Sequence, residues 1–236
     1  MLSLIALFFS ASFGLEIPTQ LTTDDQARVL EIVGLGSTSK FLSNAYPLGG
    51  YHGLEVSLSF EAIDTSEISN LGNLTNDKST LYYPSITVGK GIYNDSDIFV
   101  HFMPPSKTQE IAKFGASFRW GFYQALFLPL NFSLVAHADM SNIKNKITTK
   151  NLGADLLMGM TLSQFSFFLG GGWVNSSGSF IGGASGVTAS NNKETQKVES
   201  SHFMLGSTYN FEPLFIGFSI DRYTEAVYSI KTGFLF

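Results

Sequence analysis

The sequence predicts an all-β fold, a single transmembrane antiparallel up-and-down β-barrel of about ten strands, with eight as the alternative and a short N-terminal helix and loop before it. Three observations predict this fold. Charged residues make up only 14% of the 236 residues, against roughly 25% in an ordinary soluble domain. Phenylalanine and glycine are abundant, at 22 and 23 residues. From Tyr51 onward, apolar and polar residues alternate with a period of two, as in strands with two unlike faces.

The first fourteen residues have the features of an export signal. Leu2–Phe13 is almost wholly apolar, and Ser12 and Gly14 place small residues at the −3 and −1 positions of a cleavage site. The apolar run is too short to span a bilayer as a helix. We therefore expect a cleaved signal peptide. The predicted parts of the chain are the signal peptide (1–14), a helix and loop segment (15–50) and the transmembrane barrel (51–236).

The segment after the signal lacks strand periodicity. Thr22 provides an N-cap, Asp24 and Asp25 lie in the first helical turn, and Gly34 provides a stop. Ser, Gly and Asn after Gly36 predict a loop. The segment is expected to plug the barrel lumen, cap its periplasmic mouth or lie free, and a short periplasmic helix is the favoured interpretation.

Ten segments alternate in the way that membrane strands require. They are Leu54–Ala62, Tyr82–Tyr93, Ile98–Met103, Lys113–Phe122, Leu130–Asp139, Leu152–Leu162, Phe165–Val174, Phe203–Phe211, Leu214–Ile220 and Tyr228–Phe236, of which the second and third are the weakest. A soluble sandwich would carry many more Lys and Glu on its polar face. The Phe-rich face is therefore predicted to meet lipid, and the face bearing Gly and Ser to line a crowded lumen.

The connections between these segments alternate in length. Short ones such as Asp95-Ser96 and Ser163-Gln164 alternate with longer, more polar ones. The longer connections include Ile63–Leu81, Pro104–Gln109, Ser141–Lys150 and Asn175–Glu199. Short periplasmic turns and longer external loops are typical of membrane barrels, and an even strand number places both termini in the periplasm. Aromatic residues near the strand ends predict two interfacial girdles.

The last strand carries the most specific pattern in the chain. Steps of two back from Phe236 give Phe234, Thr232, Ile230 and Tyr228. Here the sequence resembles bacterial outer-membrane β-barrel proteins, whose final strand ends in an aromatic residue after alternating apolar positions. The resemblance implies a porin-like barrel with surface loops in the outer membrane of a Gram-negative bacterium. It also implies that the barrel-assembly machinery recognises Tyr228, Ile230, Phe234 and Phe236, with Thr232 a departure from the usual apolar residue.

Several charged residues are predicted to face the lumen. They are Glu55, Lys113, Arg119, Asp155 and Lys231. An isolated charge in a narrow lumen is too costly, so these residues are expected to form a network of ion pairs across a closed barrel. A selectivity ring for a small pore is the alternative, although about ten strands leave little free diameter.

Histidines give the alternative, enzymatic interpretation. His101, His137 and His202 are predicted to face the lumen toward a water-exposed external rim, joined by Asp139. This placement is similar to that of the Asp and His residues of omptin proteases, and it would allow a rim hydrolase of the protease or lipid-modifying type. The chain carries no local motif of such a family, so a non-enzymatic protein is favoured.

Composition also narrows the partners. The net charge of −5 gives no electrostatic reason to expect nucleic-acid binding. The absence of Cys excludes disulfides and thiolate metal sites, and neither a cofactor nor a metal is expected. The expected partners are outer-membrane lipid, lipopolysaccharide and the assembly machinery. The favoured function is a structural or surface-interaction barrel, or a narrow small-solute channel.

Overall fold

Ten antiparallel strands form a closed barrel in which every strand pairs with its neighbours in sequence and the first pairs with the last. The computed structural model describes residues 16–75, 80–103 and 111–236. The strands are β1 (Leu54–Asp64), β2 (Thr80–Gly91), β3 (Ser96–Phe102), β4 (Ile111–Gln124), β5 (Leu130–Ile143), β6 (Ile147–Leu162), β7 (Phe165–Phe180), β8 (Glu194–Phe211), β9 (Leu214–Arg222) and β10 (Ala226–Leu235). The predicted all-β barrel is confirmed, and the eight-strand alternative is wrong because both weak candidates are strands. The predicted signal peptide (1–14) and the predicted connection Pro104–Gln109 lie outside the described residues.

Each strand has one buried and one exposed face, as the alternation predicts. In β4, Lys113 and Arg119 are buried, whereas Phe114 and Phe118 are 59% and 42% exposed. The same pattern continues around the barrel and produces a band of outward aliphatic and aromatic side chains. We call it the apolar band. So much contiguous apolar surface requires an apolar surrounding, which for a closed barrel is the hydrocarbon of a membrane.

Leu156 tests whether this band contacts lipid. It points outward from the middle of β6, opposite Leu134 and Gly171 of the adjacent strands. We expect Leu156→Arg to lower the free energy of unfolding in lipid vesicles by about 2–4 kcal/mol, because a guanidinium near the bilayer midplane is costly. The control Thr195→Arg lies on the outward face of β8 beyond the band, and should cost less than about 1 kcal/mol. Equal costs for the two variants would contradict a lipid-facing Leu156.

The two ends of the barrel differ in their connections. The short-turn end carries the connections after β2, β4, β6 and β8 and the junction of β1 with β10, where Leu54 and Phe236 exchange two backbone hydrogen bonds of 2.9 Å. The loop end carries the remaining connections, among them 65–79 after β1 and 181–193 after β7. Two of the predicted long loops, Ser141–Lys150 and Asn175–Glu199, are shorter in the structure than the sequence predicts.

The predicted loop Ser141–Lys150 is wrong. The backbone stays paired up to Ile143 and again from Ile147, and a tight turn joins β5 to β6. Lys144 and Asn145 have φ values of 51° and 55° in this turn. These are the two central residues of a turn that the Lys146 N–H closes by donating to the Ile143 carbonyl at 2.9 Å. Positive φ at both positions matches the right-handed twist of the flanking strands.

The predicted loop Asn175–Glu199 is also mostly strand. β7 and β8 pair from Phe165 with Tyr209 up to Phe180 with Glu194, which leaves 181–193 as the connection. Beyond the apolar band the outward residues of these strands are polar. The outward apolar alternation stops at the edge of the band while the strands continue, and for this reason the predicted strands are too short.

The chain before β1 lies inside the barrel, and we call residues 16–53 the plug. Its helix α1 has Thr22 as N-cap in a capping box with Asp25, which satisfies free backbone N–H groups of the first turn. The helical elements of the described chain are α1 (Thr23–Val29), a π-helical turn that continues it (Leu30–Gly34), and two 3₁₀ turns (Gly50–His52 and Ser66–Asn70). None of the helices in these described ranges is long and apolar enough to cross a membrane.

The plug runs from the loop end to the short-turn end. At the loop end, Leu21 forms a bridge with Thr188, and the Asn73 N–H donates to the Thr19 carbonyl at 2.8 Å. At the short-turn end, the Gly91 N–H donates to the Gly53 carbonyl at 3.0 Å. Of the three expected positions, the segment therefore takes the one inside the lumen, with its helix at the loop end. The start of β1 and the end of β10 lie together at the short-turn end, as an even strand number requires. The plug, however, begins at the loop end.

Candidate functional site: the plugged lumen

The loop-end half of the lumen is apolar and receives the helical part of the plug. Inward side chains of six strands form its wall: Ile63, Leu81, Ile143, Ile147, Val174, Phe180 and Val227. The plug contributes Val29, Leu30, Ile32, Val33 and Leu35 to the same cluster. Leu30, Ile32 and Leu35 are at most 1% exposed. The plug and the wall therefore form one hydrophobic core.

The middle of the lumen is polar and holds the irregular part of the plug. A buried chain without regular structure needs partners for its backbone N–H and C=O groups. The wall supplies them, because Asp139 accepts from the Ser39 N–H at 3.0 Å and Asn131 donates to the Ala45 carbonyl at 2.7 Å. The irregular path of the plug is thus matched to particular wall side chains.

Arg119, one of the predicted lumen charges, forms a fully buried ion pair with Asp97 of β3. Its Nε donates to Asp97 Oδ2 at 2.6 Å, and its Nη1 donates to the Asn44 carbonyl of the plug at 2.7 Å. Asp97 Oδ1 accepts the Leu48 N–H at 3.0 Å. Both members of the pair therefore hold the wall and the plug together.

The other predicted lumen charges occupy separate places around the plug. Lys231 Nζ lies 2.6 Å from Glu55 Oε1, and Ser43 of the plug donates a hydrogen bond to Glu55. Lys113 Nζ lies 4.0 Å from Glu61 Oε1. Since the plug fills the centre, the ion pairs are local contacts, and a single network across an open lumen does not form among the described residues.

His101 lies between two hydroxyl groups. Its Nδ1 is 3.0 Å from the Thr87 hydroxyl and its Nε2 is 3.0 Å from the Ser117 hydroxyl. A serine beside an imidazole is the start of a nucleophilic dyad, but here the third group is a hydroxyl and not a carboxylate that would orient the base. All three side chains are buried. The pair therefore presents no surface to a substrate.

The predicted rim set does not form one site. Asp139 accepts from the Ser39 N–H and from Asn151 Nδ2, at 3.0 and 2.8 Å. His137 and His202 instead approach Asp155, which had been placed among the lumen charges. All of these side chains are buried. The expected water-exposed rim is therefore wrong, because the plug covers the residues assigned to it.

Two histidines and one aspartate converge on the lumen side of the wall. His202 Nε2 lies 2.7 Å from Asp155 Oδ1, and His137 Nε2 lies 3.4 Å from Asp155 Oδ2. The ring of Tyr223 stacks on His202 with centroids 4.4 Å apart and planes at 10°. We call these three residues, His137, Asp155 and His202, the lumen triad.

At the loop end, Arg28 of α1 binds three carboxylates. It forms ion pairs with Glu31 at 2.8 Å, with Glu225 at 3.1 Å and with Glu67. The hydrogen bonds from Arg28 hold the pKa of Glu67 below its ordinary value. Glu67 and Glu225 belong to different loop-end connections. Each partly exposed pair contributes little stability by itself, but together they fix the position of α1 relative to both connections.

The residues expected to act in assembly lie on the outward face of the last strand. Tyr228, Ile230, Phe234 and Phe236 are 57%, 40%, 37% and 66% exposed. The exception in the pattern, Thr232, donates to the Phe215 carbonyl of β9 at 3.0 Å. The four apolar side chains make a single outward row.

One sequence signal for the plug was available. The inward register that contains Glu61, His137 and Lys231 also contains Ile63, Ile143 and Val227 near the loop end. Inward apolar residues in a water-filled lumen are unfavourable, so they indicate an apolar occupant. The lumen triad had no such signal, because its members lie on three strands separated by long stretches of sequence.

The chain is similar to several solved structures at low sequence identity. A scan against models of known protein families finds no match, and no curated protein matches the sequence. Solved structures similar to the chain are bacterial outer-membrane β-barrel proteins. The N-terminal β-barrel domain of Pseudomonas aeruginosa OprF has a TM-score of 0.36 and 13% identity, covering 79% of this chain and 99% of that one.

Two further structures have similar values. Ail, the attachment invasion locus protein of Yersinia pestis, in complex with the heparin analogue sucrose octasulfate, gives a TM-score of 0.35 and 10% identity over 78% of this chain and 98% of that one. The outer membrane protease OmpT from Escherichia coli gives a TM-score of 0.35 and 10% identity over 84% and 98%. At such values the similarities transfer no residue role or activity to this chain.

Proposed function

We propose that this protein is an outer-membrane barrel closed by its own N-terminal segment, with a structural or surface-interaction role at its loop end. One observation carries the proposal: the plug fills the lumen from one end to the other. Apolar packing holds its helix, and wall side chains such as Asp139 and Asn131 hold its irregular part. A lumen so occupied is a core and not a passage for solutes.

The plug also organises the loop end. Arg28 joins Glu67 to Glu225, and Leu21 hydrogen-bonds through its backbone to Val187 and Ala189 at 2.8 and 2.9 Å. Three of the loop-end connections are thereby attached to a single internal segment. Binding to a pre-ordered surface avoids the entropic cost of ordering loops, so this arrangement suits recognition of an external partner.

Location in the outer membrane is supported by three features of the chain. The apolar outward band requires lipid, the first fourteen residues have the pattern of an export signal, and the last strand carries an outward apolar row that includes Tyr228, Phe234 and Phe236. In this location the short-turn end faces the periplasm and the loop end faces the exterior. The plug helix α1 then lies at the external face.

Closure and orientation can be tested together. We expect the refolded wild-type protein to give no discrete openings in a planar bilayer, because the plug occupies the lumen. Since the chain contains no Cys, single-cysteine variants can be labelled on intact cells with a membrane-impermeant maleimide. Asp24→Cys, exposed on α1, should react, whereas Thr38→Cys, 0% exposed in the plug, should not.

Phe127→Cys is the matched control for orientation. Phe127 is 95% exposed in the short turn between β4 and β5. It should react only after the outer membrane is permeabilised. Reaction of Phe127→Cys but not Asp24→Cys on intact cells would overturn the orientation, and discrete ion-selective openings of the wild type would overturn closure.

A further inference from the structure

We propose that the lumen triad of His137, Asp155 and His202 is a binding site for a divalent transition-metal ion such as Zn²⁺. Each residue offers one ligand atom, and these atoms all lie within 4.8 Å of one another. The three side chains are 3%, 4% and 8% exposed. The site lies on the wall and is independent of what the loop end binds.

Two glycines create the space in which the triad forms. In the sheet, Asp155 of β6 pairs with Gly172 of β7, which pairs with His202 of β8. Because Gly172 has no side chain, Asp155 and His202 meet across the intervening strand. A Cβ on Gly172 would lie 2.3 Å from Asp155 Oδ1, and one on Gly153 would lie 2.5 Å from His137 Nε2. Any larger residue at either glycine would displace a ligand.

The hydrogen bonding of the imidazoles is incomplete. Within the described ranges, neither ring nitrogen of His137 has a hydrogen-bond partner, and Nδ1 of His202 has none. Buried polar nitrogens are normally satisfied, and exceptions call for an explanation such as an ion. His137 Nε2 is nevertheless directed at the carboxylate of Asp155, at 3.4 Å from Oδ2. A metal ion between the two groups would be coordinated by this nitrogen, which has no hydrogen-bond partner among the described residues.

The distances suit a small ion. Zinc binds imidazole nitrogen and carboxylate oxygen at about 2.0–2.2 Å, which places tetrahedral ligand atoms roughly 3.3 Å apart. The spacings between Asp155 and the two imidazoles, 2.7 and 3.4 Å, lie on either side of this value, and all three ligand atoms are within 4.8 Å of one another. An ion between them would require the side chains to draw together into this geometry. Two nitrogens and one oxygen favour Zn²⁺, Co²⁺, Ni²⁺ or Cu²⁺ over Mg²⁺ and Ca²⁺, which prefer oxygen ligands only.

The test loads the full chain with Co²⁺ or Zn²⁺ during refolding into detergent, followed by removal of free metal. We expect about one equivalent of either metal to be retained, and Co²⁺ to give visible absorption typical of a site with imidazole ligands. His137→Ala, His202→Ala and Asp155→Asn should each bind at least about tenfold more weakly. The matched control is His101→Ala, which removes another buried lumen histidine outside the triad, and should bind like wild type.

Folding is checked by heat-modifiable migration on gels, and His137→Gln replaces His137→Ala if the alanine variant does not fold. No retained metal and no visible Co²⁺ spectrum in folded wild-type protein would overturn the proposal. Equal retention by the triad variants and by His101→Ala would also overturn it, since the metal would then bind elsewhere. In either of these cases the triad is a metal-free group in which Asp155 hydrogen-bonds to its two histidines.

Discussion

Replacing Arg119 with alanine is expected to lower the free energy of unfolding by about 3–5 kcal/mol, the usual cost of leaving one member of a buried ion pair without its partner. Arg119 and Asp97 are both 0% exposed. The guanidinium also lies 5.0 and 5.4 Å from the ring centroids of Phe41 and Phe99. The variant therefore loses packing, and it leaves the Asp97 carboxylate and the Asn44 carbonyl without their main donor. Urea unfolding in lipid vesicles, followed by Trp fluorescence, measures the change.

Two controls separate the buried pair from charge loss in general. Arg222→Ala removes an exposed outward arginine at the end of β9, and should change stability by less than about 0.5 kcal/mol. Arg119→Met combined with Asp97→Asn removes both charges and should recover much of the loss, because an uncharged pair of similar volume avoids the desolvation cost. A loss below about 1 kcal/mol in Arg119→Ala would contradict a dry, fully packed ion pair, because water would then have to reach Asp97.

The strands could be predicted because one physical rule governs them within the membrane. Where lipid meets one face and a polar lumen the other, every second residue must be apolar, and the alternation of β4 and β6 follows directly. The same rule placed Glu55, Lys113, Arg119, Asp155 and Lys231 on the inward face, and all five are buried. The sequence could not identify Asp97 as the partner of Arg119, because pairing depends on register between strands.

Between the apolar band and the loop end, the outward residues are polar and the inward ones apolar, which reverses the rule. The loops were predicted wrongly in this zone. In β6, Lys150 is outward and exposed, whereas Ile147 is inward and buried. In the next two strands, Lys197 of β8 is outward and exposed, whereas Phe180 of β7 is inward and buried. Water now lies outside the barrel and the apolar plug inside it. Strands continue through this zone with their polar and apolar faces exchanged. Together with the mostly apolar run from Val29 to Leu35 in the plug, this exchange of faces is the sequence evidence that a segment occupies the lumen.

The lumen triad could not be predicted from the sequence, for a different reason. Asp155 and His202 are brought together by the register β6–β7–β8 and by the absence of a side chain at Gly172. Neither property leaves a spacing motif, since the distance along the chain depends on turn lengths unrelated to the site. A glycine in the inward register of a strand is the one local indication. It marks a place where side chains of flanking strands can meet.

The largest functional change is expected from Leu35→Asp. Leu35 is 0% exposed in the core shared by plug and wall, and an unpaired carboxylate there is costly enough to favour release of the helical part of the plug. The strands keep their ladder of hydrogen bonds, so the barrel itself should still fold. We expect discrete openings in a planar bilayer where the wild type is silent. In the same background, Thr38→Cys should react with maleimide at least about tenfold faster than in the wild-type background, on the principle that each 1.4 kcal/mol of lost protection is tenfold.

Leu35→Met is the matched control, because it conserves volume and apolar character and should leave the lumen closed. The openings of Leu35→Asp should be small, since ten strands leave little free diameter even without a plug. A folded Leu35→Asp protein that stays silent, with Thr38→Cys still protected, would contradict closure by apolar packing of the helix. Closure would then rest on the polar contacts below it, where Asp139, Asn131 and Arg119 bind the plug backbone. The two halves of the lumen hold the plug by different forces, and this pair of variants measures which of them keeps the barrel closed.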